Sequence, residues 1–467
     1  MSTASPPQPR PTPTTPRAAV VGAGIAGLSA AIALRRAGWR VVVHERSRFK
    51  NEVGAAITVP PNAALALERW GYVFPPDGGG DHHNRNGGDK GTANGDPVPN
   101  QSMRYAAAAD LRELSRFDYP RMREAWGAGA WSFHRVDLHR LLREMAEGEE
   151  GEGSPARIRL GEEVLGLDCE GGRLRTREGW GREWDLVVIA DGAHSRLLPN
   201  FVDDPASTTP HHTGRSVYRW LVSTDDVRAS PALRAQFDGA LPGFTAWDDI
   251  ARRVLFICYT CRGGRTLNCA VVHDTSPAAE SEDRADDVWH LPVSRDQVLA
   301  TLQGFHPTLR AVVDLASEDG VKAHRLFKRA PLESFARGRA LVLGDAAHVM
   351  MPTHAAGGGI AMESAAALEV LFRGVGAGDA VAVGERLRLF DGLRVPRCNL
   401  TMLLSNAGPE GVRVPGVEEE IRRYYSGPLP SREGLPWDDE FREFMFCYDV
   451  FAAAEKALEG LGNGSRA

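Results

Sequence analysis

The pattern of apolar and polar positions changes along the chain, and its first recognisable form begins at Ala18. A short apolar run, AAVVG, is followed by a glycine turn, a helix-like segment, LSAAIALRRAG, and a second apolar run, WRVVVHE. Gly38 stands where a helix C-terminal cap is expected, and the valines at 41–43 suit a strand that is buried on both faces. The pattern predicts a strand–helix–strand unit that opens a parallel α/β sheet.

A different pattern covers residues 201–320, where strand-like runs such as SVYRWLV, VLFICYT and TLNCAVVH are separated by turns such as RGGR. These runs predict a mostly antiparallel sheet that is inserted as a second domain. The first pattern returns over 321–400, and the segment 401–467 is predicted to be helical. We therefore expect an α/β domain built from 18–200 and 321–400, with the inserted sheet and the helical segment making the whole chain α+β.

Two segments lack the apolar residues that a core requires. Residues 1–17 contain six prolines and no acidic residue, which predicts a disordered tail. Residues 75–103 are rich in Gly, Asn, Asp and His and predict a solvated, disordered insertion. The adjacent His82 and His83 fall within this insertion, so we do not interpret them as metal ligands, and no metal is predicted elsewhere.

Composition narrows the functional classes. The 467 residues carry a net charge of −6 with Lys and Arg scattered, which argues against a nucleic-acid partner. Six scattered cysteines do not form a disulfide scaffold and favour a reducing, cytoplasmic location. Cys258 and Cys261 form a CxxC pair inside a strand-like run, which favours a structural role over zinc. Patterned glycines interrupt the apolar run 18–34, so no membrane span is predicted.

The sequence GAGIAG places three glycines between the first strand and the first helix. Gly22 permits a tight turn, Gly24 allows a pyrophosphate to approach the backbone, and Gly27 allows the helix to pack closely on the strand. The N–H groups and dipole at the helix N-terminus favour phosphate. Glu45 ends the second strand, 18 residues after Gly27, where its carboxylate can accept hydrogen bonds from ribose hydroxyls. This set predicts dinucleotide binding without choosing between NAD and FAD.

Two later segments favour FAD. The first, DLVVIADGAHSR, places Asp191 and Gly192 directly after a buried strand. The second, GDAAHVMMPTHAAGGGIAMESA, leads into a helix through a run of glycines. Such a helix start offers N–H groups to the negative charge of a reduced flavin, and a carboxylate can accept from ribityl or ribose hydroxyls. The predicted cofactor residues of the second segment are Gly344, Asp345, Pro352, Gly357 and Gly358.

With these three motifs in this order, the chain resembles the single-component FAD-dependent aromatic hydroxylases, and within them the salicylate-hydroxylase-like branch. The resemblance also includes VGAAITVPPNA, FHRVDLHRLL and EFMFCYDVFAAAEKAL. It implies a glutathione-reductase-type FAD-binding Rossmann domain, a non-covalently bound FAD, and NADH or NADPH as a transient reductant. It further implies that Arg135 contacts FAD and that Arg46 lies with Glu45 at the adenosine end. Asp191 and Gly192 would serve both cofactors.

The same resemblance implies that a small phenolic or acidic aromatic substrate is hydroxylated with NAD(P)H and O2 through a flavin hydroperoxide. The residues also allow other interpretations. Asp191 and Asp345 can each cap the helix that follows, and Arg135 can pair with Asp137 or Glu144. The alternative functions are a related flavoenzyme (an epoxidase, halogenase or reductase) and a non-catalytic FAD-bound scaffold.

Tyr218, Arg219 and Tyr259 lie on strands of the predicted inserted sheet and are the candidate catalytic residues that contact the substrate. Tyr218 and Arg219 point to opposite faces of their strand, and Arg219 interrupts an otherwise apolar face. A buried arginine there suits a carboxylate or phenolate on the substrate. The competing interpretations for the arginine are an internal partner, such as Asp248 or Asp249, and exposure on a solvent face. For each tyrosine the competing interpretation is a core position.

Four positions depart from the family pattern in the segment that begins GDAAH. Where the family usually has proline, glutamine, asparagine and aspartate, this chain has Val349, Ala356, Gly359 and Ser364. Because glycine is the most permissive residue, Gly359 predicts a looser loop on the flavin side. These departures motivate the scaffold alternative.

Overall fold

The computed structural model describes residues 15–49, 54–75, 95–204, 207–237, 243–275, 291–433 and 437–464. The strands, in chain order, are β1 (Arg17–Val21), β2 (Arg40–Glu45), β3 (Ala56–Val59), β4 (Val98–Pro99), β5 (Ser102–Ala107), β6 (Glu113–Asp118), β7 (Trp131–His134), β8 (Arg157–Leu160), β9 (Gly166–Asp168), β10 (Arg173–Thr176), β11 (Gly179–Trp180), β12 (Leu186–Ile189), β13 (His211–Ser223), β14 (Gly243–Asp249), β15 (Val254–Cys261), β16 (Thr266–Asp274), β17 (Leu291–Pro292), β18 (Lys322–Lys328), β19 (Ala336–Arg337) and β20 (Ala340–Val342).

The helices are α1 (Ile25–Arg36), α2 (Pro61–Arg69), α3 (Tyr119–Trp126), α4 (Arg135–Glu147), α5 (Leu198–Phe201), α6 (Thr224–Ala229), α7 (Pro231–Phe237), α8 (Arg295–Thr301), α9 (Pro307–Asp314), α10 (Asp345–His348), α11 (Gly357–Phe372), α12 (Ala380–Asn406), α13 (Val417–Arg422), α14 (Asp439–Phe446) and α15 (Val450–Gly464). Short 3-10 turns cover Pro352–His354 and Gly411–Arg413. None of these helices combines the length and apolar character that crossing a bilayer requires.

The first large sheet has six strands in the order β19-β20-β12-β1-β2-β8. All neighbouring pairs are parallel except β19 and β20. The predicted strand–helix–strand opening is therefore β1, α1 and β2. The apolar runs are buried because α1 and α11 pack together over this sheet. Trp39, directly before β2, donates its indole N–H to the carbonyl of Phe372 at 3.0 Å and so links β2 to the end of α11. The predicted α/β fold class is confirmed.

The second large sheet has eight strands in the order β17-β18-β13-β16-β15-β14-β5-β6. Every neighbouring pair is antiparallel except β14 and β5, which are parallel. Three of these strands lie outside 201–320: β5 and β6 precede that range, and β18 follows it. One face of the sheet carries Trp220, Trp247 and Phe256 and packs against α7, α8 and α9. The opposite face is directed toward the site described below.

Two predictions of disorder need correction at their boundaries. The predicted insertion 75–103 is wrong at its C-terminal end, because β4 and the start of β5 lie there. Val98 and Met103 are buried, 5% and 3% exposed, since their strands pair with β7 and β14. The predicted tail ends earlier than 17, because Arg17 begins β1. Residues 1–14 and 76–94, with His82 and His83, lie outside the described residues.

Candidate active site

Four strand ends meet at one edge of the six-stranded sheet. The adjacent parallel strands β2, β1, β12 and β20 end at or lead into, respectively, Glu45, Gly22, Asp191 and Asp345. β2, the next strand in the chain, lies on one side of β1, and the later strand β12 lies on the other side. The strand order therefore reverses between β1 and β12. Ligands of open α/β sheets bind in the crevice outside the carboxyl ends at such a switch point. The three sequence motifs therefore converge on one crevice.

The three glycines of the first turn differ in what surrounds them. Gly22 has a φ of +98°, and an added Cβ would lie 2.4 Å from the Ala190 carbonyl oxygen. At Gly27 an added Cβ would lie 1.9 Å from the Gly22 carbonyl oxygen. At Gly24 it would meet no atom within 4 Å. The turn and the close packing thus require Gly22 and Gly27, whereas Gly24 borders open space that suits a pyrophosphate.

The Glu45 carboxylate, at the end of β2, is hydrogen-bonded to the glycine turn. Its Oε2 accepts from the Ala23 backbone N–H at 2.7 Å, and its Oε1 accepts from the Ser47 N–H at 2.6 Å. His139 on α4 places its Nε2 2.7 Å from the Ala23 carbonyl oxygen. Each carboxylate oxygen retains another lone pair for a ribose hydroxyl. The neighbouring Arg46 is exposed.

Asp191 has one oxygen engaged and one without a partner. Its Oδ2 accepts from the Arg196 backbone N–H at 3.0 Å in the turn before α5. The interpretation of Asp191 as a helix cap is wrong, because the N-cap of α5 is Leu197 and receives no side-chain hydrogen bond. The Oδ1 of Asp191 is buried and has no hydrogen-bond partner among the described residues. Burial raises the pKa of Asp191, and hydrogen bonds from Ser195 and the following turn oppose the shift. A buried acceptor without a partner is unusual, and a ligand hydroxyl would satisfy it. Gly192 follows with a φ of +89°.

Arg329, which follows β18, was missed by the sequence predictions. It lies between the two motif carboxylates, and its Nη2 donates to the backbone carbonyls of Asp345, at 3.5 Å, and Ala346. Its Nε and Nη1 are buried without partners in the described part of the chain. Burial lowers the pKa of Arg329 to about 10, and the charges of Asp345 and Asp191 oppose this. No local pattern marks such a residue, because its neighbours come from the start of α10 and from the turn after β12.

The segment between α10 and α11 forms a loop beside the crevice. The 3-10 turn that starts at Pro352 is followed by Ala355 with a φ of +54°, and α11 begins at Gly357. An added Cβ at Gly357 would meet no atom within 4 Å, and at Gly358 it would lie 3.2 Å from Ile57 Cδ1. The N–H groups at the start of α11 therefore border accessible space, as an anionic group would require.

The prediction that Gly359 loosens this loop is wrong. An added Cβ there would lie 2.5 Å from Pro60 Cγ, so the segment before α2 fills the place of a side chain. Val349 has a φ of −60°, within the range that proline adopts. Ser364 donates to the Ile360 carbonyl at 2.8 Å and accepts from Arg394 Nε at 3.1 Å. Ala356 is buried among apolar side chains of α12 and α14.

A cavity of about 710 Å³ joins this loop to the open face of the eight-stranded sheet. Met350, Pro352 and Gly358 line it on the loop side. Its floor on the sheet is apolar and comes from Val217, Leu255, Ile257, Ala270 and Val272. The cavity thus places an apolar binding surface opposite the predicted flavin loop.

Arg219 lines this cavity from β13. The competing interpretation, a partner in Asp248 or Asp249, is wrong, because Arg219 forms no ion pair or hydrogen bond within the described ranges. Its Nε is buried and has no partner. Burial lowers the pKa of Arg219, while the nearby Tyr259 favours its charged form. An unpaired guanidinium at the edge of an apolar cavity is suited to an anionic ligand.

The two candidate tyrosines lie on different faces of the sheet. Tyr259 lines the cavity, donates its hydroxyl to the Ala56 carbonyl at 2.8 Å, and stacks on Phe244 at 5.2 Å between ring centroids. Tyr218 lies on the helix-covered face, where its ring centroid is 4.0 Å from that of His273. Since alternate residues of a strand face opposite sides, Arg219 and Tyr218 cannot both line the cavity. The inclusion of Tyr218 among substrate residues is therefore corrected.

Arg135 begins α4 and lines the same cavity. The predicted alternative partners are engaged elsewhere: Asp137 lies 3.1 Å from Arg262 Nε, and Glu144 lies 4.0 Å from Arg140 Nε. Among the residues that the structure describes, the Arg135 side chain has neither carboxylate as a partner. It is exposed toward the cavity side, where a ligand can reach it.

The CxxC pair lies within β15, and its two thiols belong to different clusters. Cys258 faces the helix-covered core and lies 3.6 Å from Cys269 Sγ, whereas Cys261 packs on the other face beside Tyr259 and Ala56. Because the two side chains point to opposite faces, they cannot ligate one ion together.

Comparison with known families assigns the cofactor domain. A family described as "FAD dependent oxidoreductase" matches residues 17–56, which contain the glycine turn and β2. A second family, described as "FAD binding domain", matches residues 299–384, which contain α10 and α11. The two matches cover the first and the last of the three segments that meet at the crevice, and FAD is the cofactor of this chain.

Full-length relatives place the chain in its family. It is 30% identical over 453 residues to hispidin-3-hydroxylase of Neonothopanus nambi, covering 95% of this chain and 96% of that protein. It is 31% identical over 433 residues to an FAD-dependent monooxygenase of Diaporthe leptostromiformis, covering 90% and 98%. Over 392 residues it is 28% identical to 6-hydroxynicotinate 3-monooxygenase of Bordetella bronchiseptica, covering 84% and 91%. The chain belongs to the FAD-dependent monooxygenases.

A solved structure agrees on the fold. A salicylate hydroxylase substrate complex superimposes with a TM-score of 0.68 at 22% identity, covering 95% of this chain and 98% of that one. The resemblance to the aromatic hydroxylases, stated above from the three motifs, is confirmed.

Proposed function

We propose that this monooxygenase hydroxylates a phenolic or acidic aromatic compound, with NAD(P)H and O2 as co-substrates. The observation that carries the proposal is the cavity, which sets the unpaired Arg219 and an apolar sheet face against the loop before α11. One relative is named a hydroxylase of hispidin and another a monooxygenase of 6-hydroxynicotinate. In the balanced reaction, one oxygen atom of O2 enters the ring and the other leaves as water, while NAD(P)H supplies two electrons.

FAD fits the crevice on three observations: the open space at Gly24, the unpartnered Oδ1 of Asp191, and the accessible start of α11. When bound, FAD supplies the redox chemistry, accepting a hydride from NAD(P)H and activating O2. The residues proposed to hold it are Gly22, Gly24, Gly27, Glu45, Arg46, Arg135, Asp191, Gly192, Gly344, Asp345, Pro352, Gly357 and Gly358.

The cavity residues bind and orient the substrate. Arg219 pairs with a carboxylate or phenolate and so fixes one end of the ring. Tyr259 orients the neighbouring β3 through its bond to Ala56, and its ring forms a wall with Phe244. Burial raises the pKa of Tyr259, so it remains a neutral phenol at physiological pH. The apolar floor excludes water from the reacting atoms.

The test is a screen of phenolic acids and related aromatics with the purified, FAD-loaded protein. We expect at least one compound to accelerate NAD(P)H oxidation and to gain one oxygen atom derived from labelled O2, as seen by mass spectrometry. Acceleration without an oxygenated product would point to a reductase, and acceleration by none of the compounds would favour the scaffold alternative.

The Arg219→Met variant is expected to keep its FAD spectrum and to raise the apparent KM for acidic aromatics at least about tenfold, which corresponds to roughly 1.4 kcal/mol. The expected loss is that of a charge-assisted hydrogen bond, while the apolar stem is retained. Arg228→Met, an exposed position on α6, is the matched control and should leave KM unchanged. Unchanged kinetics of Arg219→Met for every anionic substrate would remove Arg219 from the site.

A further inference from the structure

The cavity is longer than one aromatic ring and has polar side chains at both ends. Phe244 and Asp248 lie on β14 and both line it. They are four positions apart along the strand, which is roughly 13 Å at about 3.3 Å per residue. Phe244 stacks on Tyr259 at the Arg219 end. The floor between the two ends is apolar, so a ligand that spans it needs polar groups only at its termini.

At the end of the cavity away from Arg219, only one oxygen of the Asp248 carboxylate accepts a hydrogen bond from a described residue. The Tyr105 hydroxyl donates to its Oδ2 at 2.6 Å, and its Oδ1 accepts no hydrogen bond from any described residue. Burial raises the pKa of Asp248, whereas the hydrogen bond from Tyr105 and the charge of Arg215 favour its ionised form. The two arginines that line this end of the cavity make their ion pairs with another carboxylate, that of Asp274. Arg215 Nε lies 3.3 Å from Asp274, and Arg253 Nη2 lies 3.5 Å from the same oxygen. An acceptor with an unused oxygen therefore faces the cavity opposite Arg219.

We propose that Asp248 and Tyr105 form a second substrate subsite, which binds a phenolic hydroxyl or an amine at the distal end of an elongated, two-ended aromatic substrate. Its proximal anionic group pairs with Arg219. The inference rests on the proposed function. A hydroxyl that donates to a carboxylate inside a partly apolar cavity forms a charge-assisted bond, which is about twice as strong as a neutral one. A single-ring compound can reach only one of the two ends.

The experiment compares two ligands that differ by one group: stilbene-4-carboxylate and its 4′-hydroxy derivative. Calorimetric titration of the FAD-loaded protein should give a Kd at least about tenfold lower for the hydroxylated ligand. In Asp248→Asn, whose amide oxygen can still accept from Tyr105, this advantage should disappear. Asp249→Asn is the matched control, since Asp249 points to the other face and accepts from the Arg252 backbone N–H at 3.1 Å. It should retain the advantage.

Equal affinity of the two ligands for the wild-type protein would overturn the subsite without relying on any variant. An advantage that persists in Asp248→Asn would overturn the role of this carboxylate. Hydroxylation of a single-ring acid with equal stilbene affinities would refute the subsite and leave the proposed function intact. If the protein bound the hydroxylated stilbene more tightly but oxygenated no aromatic compound, the subsite would stand and the proposed function would be refuted.

Discussion

The Gly24→Leu variant is expected to fold and to retain no FAD. An added Cβ at Gly24 meets no protein atom within 4 Å, and the residue has a φ of −74°, so leucine causes no strain in the chain itself. Its side chain would instead occupy the space before α1 in which the pyrophosphate is proposed to lie. This steric exclusion of the pyrophosphate is what should abolish retention. The accompanying loss of one or two charged hydrogen bonds, about 1.5–3 kcal/mol each, would by itself raise the Kd for FAD at least about tenfold.

The measurement is the ratio of flavin to protein absorbance after gel filtration, with far-UV circular dichroism to confirm folding. Gly27→Leu is the contrasting variant. Its Cβ would lie 1.9 Å from the Gly22 carbonyl oxygen, so the helix must move and the fold itself should be destabilised. A Gly24→Leu protein that elutes with a full complement of FAD would contradict the proposed placement of the pyrophosphate.

The convergence of the three motifs on one crevice could be predicted from the sequence because each motif is encoded locally. A strand followed by a glycine turn and a helix start needs only neighbouring residues, and this pattern gave Gly22, Gly24 and Gly27 their roles. The meeting of Glu45, Asp191 and the later loop follows from the order of parallel strands, whose carboxyl ends share one edge.

What the sequence could not give depends on contacts between distant segments. The parallel pairing of β5 with β14 joins residues about 140 positions apart, so nothing near Ser102 marked it as part of the sheet. Pro60 fills the space beside Gly359, some 300 positions away, which reversed the predicted effect of that glycine. The alternation of side chains along β13 places Tyr218 and Arg219 on opposite faces of the sheet. The sequence does not show which of the two faces the helices cover. Asp248 entered the predictions only as a partner for Arg219.

A buried ionic cluster connects α11 to α2 and α12. Glu363 on α11 is fully buried, and its Oε1 lies 2.6 Å from Arg394 Nη2 and 3.3 Å from Arg397 Nε. Its Oε2 accepts from Asn62 Nδ2 on α2 at 2.6 Å. Burial alone would raise the pKa of Glu363, but the two arginines outweigh it and lower the pKa. One carboxylate therefore joins α2, α11 and α12.

Glu363→Gln is expected to destabilise the protein by about 3–5 kcal/mol, because it leaves two buried guanidinium groups without a counter-charge. Glu144→Gln, in an exposed pair on α4, is the control and should cost less than about 1 kcal/mol. Denaturant unfolding followed by tryptophan fluorescence measures both. The double variant Glu363→Leu with Arg394→Leu should recover only part of the loss. It replaces one ion pair by an apolar pair but leaves Arg397 without its counter-charge. If Glu363→Gln and Glu144→Gln had the same free energy of unfolding, the ionic cluster would contribute no measurable stability.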